Sequence, residues 1–187
     1  PHTSRGVASF EVVDVVRQPA DASFVLTRVL ALDIVAGDPF AGHLDAEHLA
    51  AAGHSGGAIT TVGLFTSGRD TRLDAGIVLA GNALGMGPSY LGPPAALLFA
   101  HGDRDPITPY GLGHAAYEAV PTDWPRAFLT LTGQRHTDPY LHASAPAFPT
   151  VAATTTDFLR WTLYGDPAAK QRLPADAAGP ARLENRL

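Results

Sequence analysis

The sequence GHSGG at residues 53–57 fits the pattern G-x-S-x-G, and its surroundings decide the fold class. The apolar segment 48–52 before it predicts a buried parallel strand, and residues 58–65 after it predict a packed helix. A serine at such a strand-to-helix turn adopts a strained backbone that exposes its hydroxyl, and the glycines let both elements cross closely. Ser55 is therefore the candidate nucleophile, with an ordinary helix N-cap serine as the alternative.

Three more apolar segments, at residues 75–80, 95–100 and 127–132, predict further buried strands. Helical patterns are expected between and after them, over residues 110–120 and 149–163. Strands that alternate with helices indicate an α/β fold with a mostly parallel sheet and helices on both faces.

The remaining segments complete a single domain that we expect to span residues 1–187. Apolar residues recur at helical spacing over 22–32, so we expect a helix there that packs on the sheet, with Asp21 as its N-cap. The segment 166–187 is polar and rich in alanine and proline, which predicts a loosely packed tail.

Candidate partners for Ser55 follow two of the predicted strands. A nucleophilic serine needs a base, and the base needs a group that fixes its tautomer. Asp103 and Asp105 come directly after segment 95–100, and His136 follows segment 127–132. Because the carboxyl ends of parallel strands gather at one edge of a sheet, these side chains are expected to meet. We favour Asp105 as the acid and keep Asp103 as the alternative.

These motifs resemble those of the serine α/β-hydrolases, in particular the bacterial esterase branch with dienelactone-hydrolase-like, chlorophyllase-like and polyester-hydrolase-like enzymes. The matching segments are GHSGG at 53–57, HGDRDPITP at 101–109 and GQRH at 133–136, together with DVVRQPAD at 14–21. The resemblance runs from about residue 14 to the C-terminus. It implies an α/β-hydrolase fold and a serine esterase that cleaves small or polymeric carboxylic esters without a cofactor.

The resemblance also implies a role for each residue of the site. Ser55 would be the nucleophile, His136 the general base and Asp105 the acid that orients it. The amide of Gly56 would supply one oxyanion-hole donor, at a position where a larger residue is usual. The second donor belongs to an upstream loop, and no HGGG-like loop precedes Ser55. We therefore expect the C-terminal two-thirds of the usual fold, N-terminally truncated.

Other residues near the predicted edge have weaker indications. The Gly- and Pro-rich segment 81–94 joins two strands, and Met86 and Tyr90 could line an acyl pocket there. A connecting loop without a substrate role is the equally good alternative. His54 is expected to face away from the site and pack, and His101 to satisfy a hydrogen bond.

Composition excludes several classes of function. The formal charge of −5 and pI near 5.8 argue against a nucleic-acid surface, which requires a basic face. No apolar run reaches the length of a membrane helix. The chain contains no cysteine, which excludes disulfides, thiolate metal sites and a cysteine nucleophile. The compartment and the oligomeric state stay open.

Two other classes of function compete with the esterase interpretation. A non-catalytic or weakly active hydrolase-fold module would follow from missing upstream strands. A metal-dependent hydrolase is the other alternative, although H-E-x-x-H or a comparable ligand pair is missing from the sequence. Its candidate ligands are His101, Asp103, Asp105, His136 and His142.

Overall fold

The computed structural model describes residues 12–87, 89–177 and 179–187. Strands and helices alternate along most of the chain, which confirms the predicted α/β class. A short 3₁₀ turn over Ala31–Ile34 follows the first helix. In chain order the elements are α1 (Val12–Leu30), β1 (Leu49–His54), α2 (Gly56–Gly63), β2 (Leu73–Leu79), β3 (Ala96–Gly102), α3 (Tyr110–Glu118), β4 (Arg126–Leu131), α4 (Asp138–Leu141), α5 (Phe148–Tyr164), α6 (Pro167–Asp176) and β5 (Ala181–Arg186).

Within the described residues, five strands form one sheet in the order β1-β2-β3-β4-β5. The first four are parallel, and β5 pairs antiparallel with β4, so the predicted mostly parallel sheet is confirmed. The strands of a parallel sheet are mostly apolar in sequence, because helices cover both faces of such a sheet. On β3, Phe99 packs in one core with Tyr117 of α3, while Leu98 packs in another with Phe158 of α5 and Leu173 of α6. Helices therefore cover both faces.

Strand β1 differs from its prediction as a buried strand. It lies at the edge of the sheet, and within the described residues only β2 pairs with it. Ala50 and Ala52, whose side chains point to the same face of the sheet, are exposed. An apolar run of small residues does not by itself distinguish a central strand from an edge strand.

The C-terminal segment is not the loosely packed tail that its composition predicted. Asp166 caps α6 by accepting hydrogen bonds from the amides of Ala168 and Ala169. Leu173 is only 1% exposed, and β5 adds a full strand to the sheet beside β4. The favourable N-cap and the free edge of β4 outweigh the weak apolar content of the segment.

The first helix is longer and less buried than predicted. It runs through Asp21, so Asp21 is not an N-cap, and Pro19 lies inside it. The helix packs against α2 instead of lying directly on the sheet. Leu26 contacts the core, but Phe24 and Val25 are 65% and 56% exposed. Among the described residues, none of the helices is long and apolar enough to cross a membrane.

Candidate active site

Ser55 occupies the sharp turn between β1 and α2 that the sequence predicts. The φ angle of Ser55 is 58°, a value that residues other than glycine rarely adopt. Its amide donates a hydrogen bond of 3.0 Å to the Leu79 carbonyl. A Cβ at Gly53 would collide with the carbonyl oxygen of Gly57, so the turn requires glycine there. The Ser55 hydroxyl makes no capping hydrogen bond to α2, which contradicts the N-cap alternative.

The structure brings together Ser55, His136 and Asp105. The Oγ of Ser55 lies 2.8 Å from Nε2 of His136, and Nδ1 of His136 lies 2.7 Å from Oδ2 of Asp105. An ionised carboxylate only accepts hydrogen bonds, so Nδ1 carries the imidazole proton and Nε2 accepts from the Ser55 hydroxyl. The three side chains, from loops after three different strands, therefore form one continuous hydrogen-bonded chain.

Asp105 is held in its ionised form. Its side chain is fully buried, and burial opposes ionisation. Hydrogen bonds from His136 and from the amides of Thr108 and Ile107 outweigh burial and lower the pKa of Asp105 below its ordinary value. The carboxylate is thus negative at neutral pH and fixes the tautomer of His136.

A second imidazole approaches the same carboxylate from inside the protein. His101 is buried, and its Nε2 lies 2.9 Å from the Thr108 carbonyl and 3.4 Å from Oδ2 of Asp105. Burial lowers the pKa of His101, although these oxygens act in the opposite direction. A carbonyl only accepts, so Nε2 carries the proton. The prediction that His101 satisfies a hydrogen bond is confirmed.

The other predicted acid, Asp103, does not contact His136. Its Oδ1 accepts a hydrogen bond of 2.6 Å from the amide of Gly133, which ties the loop after β3 to the loop after β4. Asp103 thus supports the loop that carries His136, and Asp105 is the carboxylate in contact with the imidazole.

Of the five residues named for a metal-dependent hydrolase, His101 and His136 both approach Asp105, but the described residues include no three of the five whose ligand atoms lie close enough to share an ion. Within the described ranges, the side chains that could jointly hold an ion are instead His114, Glu118 and Glu184. Both carboxylates of that group already bind arginines, Glu118 with Arg186 and Glu184 with Arg182. The geometry of the described residues therefore gives the metal alternative no support at the Ser55 edge.

The two residues predicted to line an acyl pocket have different surroundings. Met86 is fully buried in the core, close to Gly63, and presents no surface to a substrate. Tyr90 lines an apolar cavity of about 270 Å³ between the loop after β2 and α3, and its hydroxyl donates to the Ala116 carbonyl. The prediction for Met86 is wrong, because the long side chain fills the space above a glycine.

His54 has a contact that the sequence did not predict. Its Nε2 lies 2.7 Å from the main-chain oxygen of His136, and the two rings are 4.8 Å apart. The expectation that His54 faces away from the site is wrong, because the loop after β4 folds back over the end of β1. The one available signal was the position of His54, beside Ser55 at the carboxyl end of a strand.

Comparison of the sequence with models of known protein families found no match, and comparison with curated proteins found none either.

Proposed function

We propose that the chain is a serine hydrolase that cleaves carboxylic esters through an acyl-serine intermediate. The observation that carries the proposal is the hydrogen-bonded chain from Asp105 through His136 to a serine with a left-handed backbone. A serine hydroxyl is a weak nucleophile, and an adjacent base with a fixed tautomer is the usual means of activating it. A helix N-cap or a structural hydrogen bond would not need a buried carboxylate behind the imidazole.

The reaction follows from the protonation states of these groups. His136 accepts the hydroxyl proton at Nε2 while Oγ of Ser55 forms a bond to the ester carbonyl carbon. Asp105 stabilises the resulting imidazolium, which then donates its proton to the departing alcohol oxygen. Water enters, loses a proton to His136, and attacks the acyl carbon. The carboxylic acid leaves as Ser55 recovers its proton.

The negative oxygen that develops on the substrate needs hydrogen-bond donors. Gly56 is the first residue of α2, where backbone N–H groups have no acceptor within the helix and the helix dipole favours negative charge. We assign its amide as one donor. Loss of one donor costs about 2.7–4 kcal/mol of transition-state stabilisation, so a site with Gly56 alone would turn over slowly.

The surface around His136 limits the kind of ester that can approach. A cavity of about 280 Å³ borders His136 and is lined by Pro106, Ile107, Arg135, Thr137 and Asp138. Ile107 is exposed and supplies an apolar surface, while the other side of the cavity is polar. We propose an open, shallow site in which an ester lies across the loops instead of entering a deep channel.

The proposal predicts that a fluorophosphonate probe attaches to Ser55, because the probe requires an activated hydroxyl. Intact-mass spectrometry and peptide mapping should find one adduct, on Ser55. The variant Ser55→Ala should lose both the adduct and ester hydrolysis while it keeps its unfolding transition, since the hydroxyl makes no capping bond.

Ser67→Ala is the matched control, because Ser67 is an exposed serine in the loop after α2. This variant should be labelled like the wild type. Folded wild-type protein without any adduct would contradict the proposal and favour a non-catalytic module. Hydrolysis that survives in Ser55→Ala would mean that another group reacts.

A further inference from the structure

We propose that His54 is a positioning residue for the reaction, which fixes His136 relative to Ser55 through a bond to the main chain of His136. The inference rests on the proposed function of the Ser55 site. His54 would hold His136 by its main chain, through a hydrogen bond that involves none of the reacting atoms of Ser55, His136 or Asp105.

The geometry of His54 connects the two sides of the site. The residue precedes Ser55 directly, yet its Nε2 donates to the carbonyl oxygen of His136 across 2.7 Å and 82 residues of sequence. Its ring also lies 5.3 Å from the ring of Tyr140, whose hydroxyl donates to the Ala100 carbonyl at 3.0 Å. Through these contacts the end of β1 is tied to the loop after β4 and to β3.

The hydrogen bond has a fixed direction. A carbonyl oxygen can only accept, so Nε2 of His54 carries the proton in the neutral ring. Protonation at Nδ1 would leave this donor in place. The link therefore holds in both charge states of His54, unlike the Ser55–His136 bond, whose proton moves in each cycle.

The need for such a link follows from the chemistry of Ser55. In an acyl-serine, Oγ is bonded to the acyl carbon and has no proton, so it no longer donates to His136. At that stage Asp105 still holds Nδ1, but nothing on Ser55 would hold the imidazole toward the acyl group. The His54 bond remains, and a displacement of about 1 Å can cost roughly 100-fold in rate.

Two substitutions separate the hydrogen bond from the ring. His54→Phe keeps an aromatic ring beside Tyr140 but has no donor, whereas His54→Gln keeps an N–H donor at a similar reach without the ring. Hydrolysis of the acyl-serine formed from a p-nitrophenyl ester, the stage at which Ser55 no longer holds His136, should be roughly 10- to 100-fold slower in His54→Phe and within a few-fold of wild type in His54→Gln. His142→Phe, an exposed histidine after α4, is the matched control and should react normally.

A second readout does not depend on reactivity. The proton on Nδ1 of His136, bonded to Asp105, should give a downfield imidazole resonance in proton NMR. We expect that resonance to shift or broaden in His54→Phe and to persist in His54→Gln and His142→Phe. If His54→Phe does not fold, His54→Leu replaces it as the variant without a donor.

The outcomes separate this inference from the proposed function. A wild-type protein without a fluorophosphonate adduct, whose resonance still responds to His54→Phe, would contradict the proposed function and support the positioning of His136. Acyl-serine hydrolysis at the wild-type rate together with an unchanged resonance in His54→Phe would overturn the inference. Equal defects in His54→Phe and His54→Gln would also overturn it, because ring packing and not the hydrogen bond would then matter.

Discussion

The sheet has two different sides, the half around β3, β4 and β5 and the half around β1, and the candidate site contains residues from both. On one side β3 and β4 are buried along their whole length, and β5 closes the sheet. On the other side β1 is partly exposed, and within the described residues its outer edge has no strand beside it. Asp105 and His136 follow the covered strands, whereas Ser55 follows the open one.

The difference shows which part of the site is rigid by itself. The loops after β3 and β4 are cross-linked by Asp103 and Gly133, and Asp105 is fixed by two amides and an imidazole. Ser55 depends on the turn into α2 and on contacts that cross from the covered side. The residues proposed as acid and base are therefore held by their own loops, whereas the proposed nucleophile lies at the edge of the sheet, and variants on each side should behave differently.

The largest effect is expected on the covered side, from Asp105→Asn. The amide cannot hold Nδ1–H of His136 as a carboxylate does and would favour the wrong tautomer, so the rate of ester hydrolysis should fall by about 10⁴-fold. The rate at which a fluorophosphonate labels Ser55 should fall as well, and it is measured without choosing an ester.

Asp103→Asn is the matched control for that variant. The carboxylate of Asp103 accepts from the Gly133 amide and does not touch His136, and an asparagine oxygen can accept the same bond. Activity within a few-fold of wild type is expected. A similar loss in both variants would mean that the loops after β3 and β4 carry the effect and not the Asp105–His136 bond.

A second variant of the covered side tests how firmly the C-terminal helix is docked. Leu173 of α6 packs with Phe158 and Leu98 and is almost completely buried. Leu173→Ala should lower the free energy of unfolding by about 2–5 kcal/mol, since it removes buried methyl groups and leaves a cavity. Urea denaturation with an unchanged m-value would measure this. Leu141→Ala, at an exposed leucine, should have little effect. A small effect at both positions would restore the loosely packed tail.

The same contrast explains what could be predicted from the sequence. Strands β2, β3 and β4 are apolar over most of their length because both faces of the sheet are covered, so their pattern identifies them. Strand β5, with the sequence ARLENR, carries three charged residues and is only partly buried, so no apolar run marks it. The edge position of β1 was missed because burial at an edge depends on neighbours and not on the residues of the strand.

The site shows the same limit. Ser55, Asp105 and His136 could be found because each follows a strand within a recognisable local pattern. The His54 bond could not, because a side chain that binds a main-chain carbonyl places no requirement on the residue type 82 positions away. Met86 was misplaced because a loop position does not tell whether its side chain points into the core.

On the open side, Asp70 should make stability depend on pH. Hydrogen bonds from Arg72 and Ser23 outweigh burial and lower the pKa of Asp70 to about 2 from an ordinary 3.8. Because the pKa of Asp70 is lower in the folded than in the unfolded chain, its ionisation stabilises the fold at any pH above the unfolded pKa. This stabilisation disappears as the pH falls from about 4 to about 2. It amounts to about 2 kcal/mol.

Urea denaturation of Asp70→Asn measures that contribution. The variant should be less stable than wild type near neutral pH, and the difference should shrink as the pH approaches about 2. Asp123→Asn, at an exposed aspartate, should follow the wild-type curve. A difference between Asp70→Asn and wild type that stays constant down to low pH would mean that charge is not its source.

The smallest effect is expected where α1 is exposed. Phe24 is 65% exposed, so Phe24→Ser should change the free energy of unfolding by less than about 0.5 kcal/mol, since phenylalanine and serine have similar helix propensities. Leu26→Ser is the matched variant on the same helix and should cost about 1–2 kcal/mol, because Leu26 packs against the core.

This pair decides whether the open side is open in solution. Similar losses in Phe24→Ser and Leu26→Ser, measured by urea denaturation, would mean that another part of the protein or a second molecule covers Phe24. A concentration-dependent midpoint would then indicate the second molecule, because association stabilises by mass action. A negligible loss at Phe24 together with a clear loss at Leu26 would leave the contrast between the two sides intact, with Ser55 on an edge held in place from the covered half.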